Sequence, residues 1–486
     1  MKTILKKIGS VILSAILICA VLPVRVYADF EIPRSCQVQA DAGAAYTVKT
    51  LDYDYDHNTY LSLRDMAVVL KDTDKAFSLK ITKNAVSLTT GNAYTSVGAE
   101  NIPWGNSQNP NITLRRNDFE VNGQSVVYYT MITRLPSGCY DCFMMAADMA
   151  MLLDVDITVT DTGSLRVNTQ EPFTVSPEAM EQAGYFYGIN GALVGDATTG
   201  EIYYQYQSDT PYPIASTSKL MTCLLTMDAI SSGQISLEDR VVISDAVQLL
   251  SSSDDGVISM EAGARITVQD LLLGTLLPSS NECALCLAET IAGSEEAFVG
   301  MMNQKAADLK LSQAVFFNSN GLPAFTEDPI PSKRQNRMSA EDMFRLASYL
   351  LKVYPQITDI TSLKNAALEY QDLQVRNTNP LLHNLSGVTG LKTGSTNKAG
   401  ACLVTSLTAN DGDMEHNIVV VVFGAESSIE RGRVSEMLAR YALHVFDTDR
   451  EETEAGESGE SVPASENLPV NAELAVDRIL QTVRKR

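Results

Sequence analysis

Histidine is scarce in this chain of 486 residues, which contains only His57, His383, His416 and His444. None of them stands at a spacing typical of a metal site, and none is placed to suggest a Ser-His-Asp triad. The sequence therefore predicts no metal, no other cofactor and no histidine base. A serine nucleophile in this chain would need a different group to take its proton.

Cysteine is also sparse, and seven of the eight residues lie beyond the N-terminal segment that contains Cys19. Cys139 and Cys142 form one C-x-x-C pair without a second pair, which argues against a zinc site and leaves a local disulfide open. The cysteines in apolar stretches near the polar motifs described below are predicted to be small core residues. They are Cys223, Cys283, Cys286 and Cys402.

Basic charge is in deficit, because 37 Lys and Arg face 59 Asp and Glu, for a net charge of −22. The first 28 residues hold four basic residues and no acidic ones, so their removal would leave a net charge of −26. A field this negative argues against binding to nucleic acid or to an anionic membrane through overall charge. An anionic substrate would have to be bound by a local cation.

The sequence also lacks a long apolar run at its N-terminus, where the stretch Ile8–Leu22 falls short of the about 18 to 20 residues of a membrane span. Three lysines precede this stretch, and Val26-Tyr27-Ala28 follows it with small residues at the positions of a cleavage site. The pattern is typical of a secretory signal peptide over residues 1–28, with an uncleaved anchor as the alternative. Cys19 follows Ile18 instead of a small residue, so lipidation is not expected.

Residues 29–170 contain a weak internal repeat, in which Tyr60–Leu70 is echoed by Phe143–Leu153. Each copy has the apolar spacing of an amphipathic helix and is followed by short alternating strands, at Phe77–Ile81 and Ile157–Val159. The repeat resembles the stalk domain named after the copper amine oxidase N-terminus, although neither copper nor amine oxidation is implied here. A structural or wall-contact role is expected, and residues 171–184 are interpreted as a linker.

Residues 185–447 are predicted to form a second, larger domain of the α+β class, a sheet covered by helices. Its predicted order is a hairpin, a block of helices, further strands and a closing helix. The strands are Gly191–Asp196, Glu201–Tyr206, Val388–Gly394, Ala401–Leu407 and Asn417–Gly424, and the helices are Ser216–Ile230, Val268–Leu277, Glu282–Ala292 and Ile429–Val445.

The C-terminal tail, residues 448–486, is acidic, and the stretch Asp447–Asn467 is rich in Glu, Ser and Gly and is expected to be disordered. Its last stretch, Val470–Arg486, has helical apolar spacing and a basic end. It is predicted to be either an amphipathic surface anchor or a solvated tail helix.

The first chemical motif is Ser216-Thr217-Ser218-Lys219, at the start of an apolar helix. Positions i and i+3 share one helix face, so the hydroxyl of Ser216 and the amine of Lys219 are expected to lie together. A lysine can serve as the base if burial and a second cation lower its pKa toward neutrality, and Lys392 is the candidate cation. Taken alone, the pair could equally be a capping serine with an exposed lysine.

Two further motifs follow in order along the chain. Ser279-Ser280-Asn281 interrupts two apolar helices after Pro278, where Ser279 could relay a proton and Asn281 could orient Lys219 and hold a substrate amide. Lys392-Thr393-Gly394 ends a strand, where the cation and the hydroxyl could bind a carboxylate and Gly394 would admit a substrate backbone to the strand edge. Each motif alone also fits a helix cap or an ordinary edge strand.

Together, the three motifs resemble those of the serine-type D-alanyl-D-alanine carboxypeptidases, the low-molecular-mass penicillin-binding proteins of peptidase family S11. The resemblance covers about 260 residues. It is carried by Ile214–Thr222, Leu276–Ala284, Asn318–Leu322, Asn377–Leu382 and Gly390–Thr396.

The resemblance implies that Ser216 is acylated, that Lys219 is its base and that Ser279 and Asn281 complete the second wall of the cleft. Lys392 and Thr393 would bind the terminal carboxylate. The N–H groups of Ser216 and Ser395 would form an oxyanion hole.

The implied activity is removal of the terminal D-alanine from a peptidoglycan stem pentapeptide, inhibited by β-lactams. The implied location is extracytoplasmic, at the cell wall or the outer face of the membrane, and peripheral contact with either is open. Ser280 stands where many relatives have glycine, and the extra domain precedes the catalytic one.

Two other functions fit parts of the same pattern. A class A β-lactamase shares the three motifs but adds a glutamate in an E-x-x-L-N loop, and no such loop occurs between Glu282 and Leu391. The other is a catalytically idle protein that binds the wall or senses β-lactams. Whether carboxypeptidase or endopeptidase activity dominates is left open.

Overall fold

The computed structural model describes residues 32–456 except 54–57, 101–114, 136, 160–163, 171–172, 174–176, 183–184, 187, 326–332 and 411–413. The predicted signal peptide, residues 1–28, and the predicted terminal helix, residues 470–486, lie outside these residues. The chain divides into two compact units, the first ending at Tyr187 and the second beginning at Gly188. None of the helices in the described ranges is both long and apolar enough to cross a membrane.

The first unit is built on a mixed sheet in the spatial order β4-β5-β6-β7-β8-β3-β2-β1-β10-β9, with parallel pairs at β1/β10 and β5/β6. Its strands are β1 (Ile32–Ala40), β2 (Ala45–Tyr53), β3 (Asn58–Ser62), β4 (Phe77–Ile81), β5 (Ala85–Thr90), β6 (Arg115–Val121), β7 (Gln124–Arg134), β8 (Tyr140–Met145), β9 (Asp156–Val159) and β10 (Leu165–Asn168). Its helices are α1 (Leu63–Val69), α2 (Ala146–Leu153) and α3 (Pro177–Gln182).

The two repeat helices are shorter than the sequence pattern suggests. Helices were expected over Tyr60–Leu70 and Phe143–Leu153, but the first residues of each stretch belong to strands β3 and β8, which pair with each other. Aromatic and other large apolar side chains there, such as Tyr60 and Phe143, gain cross-strand packing that outweighs a helical preference. Helix α3 lies inside the stretch interpreted as a linker.

A buried ionic cluster lies beside the core of the first unit. The Nζ atom of Lys49 is 2.6 Å from Oδ1 of Asp65 and 3.9 Å from Oδ2 of Asp141, and all three side chains are almost fully buried. Asp65 belongs to α1 and Asp141 to β8, so the lysine links the helix of the first repeat copy to the strand that leads into the second. Burial, followed by the charge of Asp65, raises the pKa of Asp141 to about 6.

The second unit is built on an antiparallel five-stranded sheet in the order β12-β11-β23-β22-β21. These strands are β11 (Gly191–Asp196), β12 (Ile202–Tyr206), β21 (Val388–Thr396), β22 (Gly400–Asn410) and β23 (Glu415–Ala425). Short paired strands are β13 (Tyr212–Pro213), β14 (Arg240–Val242), β15 (Arg265–Thr267), β16 (Ala324–Phe325), β17 (Lys333–Arg334), β18 (Arg337–Met338), β19 (Asn365–Leu368) and β20 (Leu373–Arg376).

Its helices are α4 (Lys219–Ser231), α5 (Asp245–Ser251), α6 (Val268–Leu276), α7 (Asn281–Ala292), α8 (Glu295–Asp308), α9 (Ala340–Val353), α10 (Ile357–Thr361), α11 (Leu381–Asn384) and α12 (Ser428–Gly456). Two 3₁₀ helices are Ala215–Ser218 and Tyr370–Asp372.

Both faces of the central strands are covered, which explains the continuous β-branched run of β23. Val419, Val421 and Phe423 join the core of the helical layer, while α12 also packs against β22 and β23. Helix α4 is buried on nearly every side, from Lys219 to Met227. This confirms both the predicted α+β class and the interior position predicted from the apolar surface of that helix.

The structure confirms the predicted hairpin of β11 and β12 and the strands of the sheet to within a few residues. The prediction of disorder from Asp447 onward is wrong for residues 447–456, because α12 continues to Gly456. The rest of that stretch lies outside the described residues. The four predicted core cysteines are buried, and Cys139 and Cys142 are free thiols.

Candidate active site

Ser216 and Lys219 lie where a 3₁₀ turn passes into helix α4. Side chains at i and i+3 are eclipsed in a 3₁₀ helix, which is tighter than the α-helix expected from the sequence. The Nζ atom of Lys219 is 2.7 Å from Oγ of Ser216. Ser216 is half-buried, while Lys219 is completely buried. The hydroxyl therefore remains partly open to solvent, and the amine does not.

Lys219 has three oxygen neighbours in the site. Besides Ser216, they are Oδ1 of Asn281 and the main-chain oxygen of Asn320, each 2.8 Å from Nζ. A protonated lysine can donate to all three oxygens, whereas a neutral lysine can donate to two and offer its lone pair to the hydroxyl proton of Ser216. The geometry suits a neutral amine acting as a base.

Burial is the main cause that lowers the pKa of Lys219 to about 7, and Glu282, followed by the thiol group of Cys283, acts in the opposite direction. The charge of Lys392 was expected to contribute to this lowering. In the structure, the repulsion between the two lysines instead lowers the pKa of Lys392. Burial is the largest cause, followed by the charges of Lys219 and Arg431, and together they lower this pKa well below its ordinary value.

The second motif lies in the break between α6 and α7. Ser279, directly after Pro278, adopts a positive φ of 70° in the left-handed region. Ser280 is the N-cap of α7, and its Oγ accepts a hydrogen bond from the N–H of Cys283 at 3.0 Å. Asn281 faces Lys219, while its Nδ2 donates to the carbonyl of Asp255 at 2.8 Å. The motif thus combines a cap, at Ser280, with an amide directed at the lysine. Within the part of the chain that the structure describes, half-buried Ser279 forms no hydrogen bond to Lys219.

The third motif lies on β21, one of the two edge strands of the five-stranded sheet. Lys392 and Thr393 are both buried, and Nζ of Lys392 donates to the carbonyl of Thr393 at 2.9 Å. The hydroxyl of Thr393 lies 2.5 Å from that of Thr378. Strand β21 therefore presents a cation and a hydroxyl next to each other at a sheet edge.

Gly394 is required where β21 passes the serine. A Cβ atom at this position would lie 2.7 Å from the backbone nitrogen of Ser216 and 2.9 Å from that of Thr217. Only glycine allows the strand to approach the 3₁₀ turn this closely. Ser395 follows as an exposed residue of the same strand, directly after the glycine that approaches Ser216.

Four further residues complete the site, and the sequence motifs predicted no role for them. Asn320 supplies its main-chain oxygen to both Ser216, at 3.4 Å, and Lys219. Thr378 and Asp255 form hydrogen bonds with Thr393 and Asn281 respectively. The charge of Arg431 acts on Lys392. The stretches Asn318–Leu322 and Asn377–Leu382 carried a signal, since both belong to the family resemblance, but backbone carbonyls and long-range charges leave no motif.

Within the described residues, no group of three His, Cys, Asp or Glu side chains is arranged to hold a metal ion. The fold and the contact between Ser216 and Lys219 resemble those of an enzyme class that uses a serine nucleophile with a lysine partner. Residues 188–427 match the family model described as D-alanyl-D-alanine carboxypeptidase. The chain belongs to this family, peptidase family S11.

Individual relatives are similar over the same region. The chain is 35% identical over 260 residues to D-alanyl-D-alanine carboxypeptidase DacF of Bacillus subtilis, which covers 53% of this chain and 62% of that protein. It is 30% identical to a D-alanyl-D-alanine endopeptidase of Pseudomonas aeruginosa, covering 59% of this chain and 92% of that one.

A solved structure of PBP3 from Streptococcus pneumoniae is 32% identical, with a TM-score of 0.49, and covers 53% of this chain and 72% of that one. The chain spans about three fifths of DacF and of Escherichia coli DacC, at 62% and 61%.

Proposed function

We propose that the protein is a serine-type D-alanyl-D-alanine carboxypeptidase that removes the terminal D-alanine from peptidoglycan stem pentapeptides. The observation that carries the proposal is the distance of 2.7 Å between a fully buried lysine amine and a half-exposed serine hydroxyl. A lysine whose pKa is lowered to about 7 is partly neutral at physiological pH and can accept a proton.

In the proposed reaction, Lys219 takes the proton of Ser216 while Oγ attacks the carbonyl of the penultimate D-alanine. The N–H groups of Ser216 and Ser395 stabilise the oxyanion, for which each donor is typically worth about 3 kcal/mol. The proton passes from Lys219 through Ser279 to the departing amine, free D-alanine leaves, and water then hydrolyses the acyl-serine. Asn281 orients Lys219 and holds the substrate amide.

Lys392 and Thr393 would bind the carboxylate of the terminal residue, and Gly394 would let the substrate backbone lie along β21. Lys392 would be the local cation that a chain of negative net charge needs to bind an anionic substrate. β-Lactams would acylate Ser216 by the same attack and be released slowly.

Ser216→Ala is expected to abolish covalent labelling by fluorescent penicillin, because the attacking oxygen is removed. Ser232→Ala, which changes an exposed serine just beyond the end of α4, should leave labelling intact. The measurement is intact-mass spectrometry after incubation with penicillin, followed by assay on a defined pentapeptide. Labelling of the Ser216 variant would refute the nucleophile, and labelling without release of D-alanine would favour an idle β-lactam-binding protein. Rapid turnover of nitrocefin would favour a β-lactamase.

We further propose that residues 1–28 direct export, that the enzyme acts outside the cytoplasmic membrane in cell-wall synthesis and cell shape, and that the first unit contacts the wall. The apolar run, the cleavage-site residues and the family of the second unit support this. Fractionation of cells that produce the full chain should place the protein outside the cytoplasm.

A further inference from the structure

Glu282 is a buried acid that the mechanism above does not use. It follows Asn281 in the first turn of α7 and is completely inaccessible to solvent. One carboxylate oxygen accepts hydrogen bonds from the N–H groups of Val257, at 3.0 Å, and of Ile258. The other oxygen is buried without a partner among the described residues. Because burying a carboxylate is costly, its presence calls for a physical reason.

The hydrogen bonds of Glu282 connect this residue to the segment that orients the side chain of Asn281. Val257 and Ile258 belong to the segment that contains Asp255, whose carbonyl accepts from Nδ2 of Asn281 at 2.8 Å. That bond directs Oδ1 of the same amide toward Nζ of Lys219. If the segment moved, the amide could turn and present its N–H group to the lysine, which would remove one of the acceptors that hold the amine.

The charged groups around Lys219 also indicate a role for Glu282. Glu282 and Cys283 on α7 oppose the effect of burial on the pKa of Lys219. Lys392 faces Lys219 from β21, and Arg431 acts on Lys392. Asp270 and Cys286 act on Cys283. Among these groups, Glu282 is the acid that acts on Lys219 directly.

We propose that Glu282 is a positioning residue for the Ser216–Lys219 pair. Its carboxylate holds the Asp255–Ile258 segment so that Asn281 faces Lys219, and it supplies the negative charge that keeps the amine from becoming too weak a base. This inference rests on the proposed function of Ser216 and Lys219.

The test is the rate of acylation by fluorescent penicillin between about pH 5 and pH 9, measured on the full chain. Glu282→Gln preserves shape and one acceptor oxygen but removes the charge. Since an opposite charge nearby raises the pKa of a lysine, the midpoint of the rise in rate should move down by about one pH unit. At pH 6 the rate, relative to its plateau, should rise about fivefold. Glu289→Gln removes the same charge further along α7 and should leave the midpoint in place.

A Glu282→Gln profile that overlays the wild-type profile, or an equal shift in Glu289→Gln, would overturn the electrostatic role. Glu282→Asp keeps the charge but shortens the arm, so it should lower the plateau rate about threefold or more without moving the midpoint. A wild-type plateau in that variant would overturn the holding role, even if Glu282→Gln failed to fold. If the wild-type protein is not labelled at all, the proposed function fails instead.

Discussion

The hydroxyl of Thr378 links strand β21, at Thr393, to the residue that ends the helix before the second motif, Leu277. Its Oγ1 lies 2.5 Å from Oγ1 of Thr393 and 3.3 Å from the main-chain oxygen of Leu277, which precedes the second motif. A hydroxyl has one proton to donate. When Thr393 donates its own proton to a bound carboxylate, Thr378 can donate to Thr393 in turn.

Thr378→Val keeps the shape of the side chain and removes this hydroxyl. The second-order rate of acylation by a carboxylated penicillin is expected to fall about threefold to tenfold, the range for one hydrogen bond. Thr378→Ser should restore most of the rate, because the hydroxyl returns. Stopped-flow fluorescence would measure both variants. Equal rates in wild type and Thr378→Val would show that Thr393 needs no such partner.

At the scale of secondary structure, the site depends on how closely strand β21 passes the 3₁₀ turn of Ser216. The Cβ atom of an alanine at position 394 would approach the backbone nitrogen of Ser216 to 2.7 Å, where neither backbone can give way easily. At Gly300, an exposed position within α8, a Cβ atom would meet nothing within 4 Å.

Replacement by alanine is therefore expected to have opposite effects at these two glycines. Gly394→Ala should lower the free energy of unfolding by about 1 to 3 kcal/mol, the range for an overpacked site, and should reduce penicillin labelling at least tenfold. Gly300→Ala should raise stability by about 0.5 to 1 kcal/mol, because alanine is the better helix former. Chemical denaturation and labelling would measure both. Full labelling of Gly394→Ala would contradict the close approach.

At the scale of the whole molecule, the two units have separate hydrophobic cores. The core of the first runs from Val38 to Val167, and that of the second from Leu193 to Phe423. The first core is flanked by the ionic cluster of Lys49, Asp65 and Asp141, where removal of the lysine would leave two buried carboxylates without their cation.

Lys49→Met is expected to destabilise the first unit by about 3 to 5 kcal/mol, the range for one partner lost from a buried pair. The pKa of Asp141 is already raised to about 6, and loss of Lys49 should raise it further. The destabilisation should therefore be smaller at pH 5, where the carboxylate is protonated, than at pH 8. Thermal unfolding would measure it, with exposed Lys80→Met as the control. Penicillin labelling of Ser216 should be unchanged in Lys49→Met, and a loss would show that the units fold together.

The sequence by itself predicted the three motifs of the candidate site, because their chemistry depends on short spacings within single elements. Ser216 and Lys219 are one turn apart, and the apolar helix around Lys219 already implied its burial. Local pattern also predicted the strands of the catalytic sheet, whose β-branched runs have few other stable environments.

Tertiary structure alone decided how these elements meet. Three features of the site depend on contacts between residues far apart in the chain. The carbonyl of Asn320 accepts from the lysine, Thr378 supports Thr393, and Glu282 holds the segment bonded to Asn281. The local sequence pattern placed both the start of the repeat helices and the end of α12 too early in the chain. A hydrogen bond to a backbone carbonyl leaves no residue signature, and the pKa of Lys219 depends on burial that only the assembled fold provides.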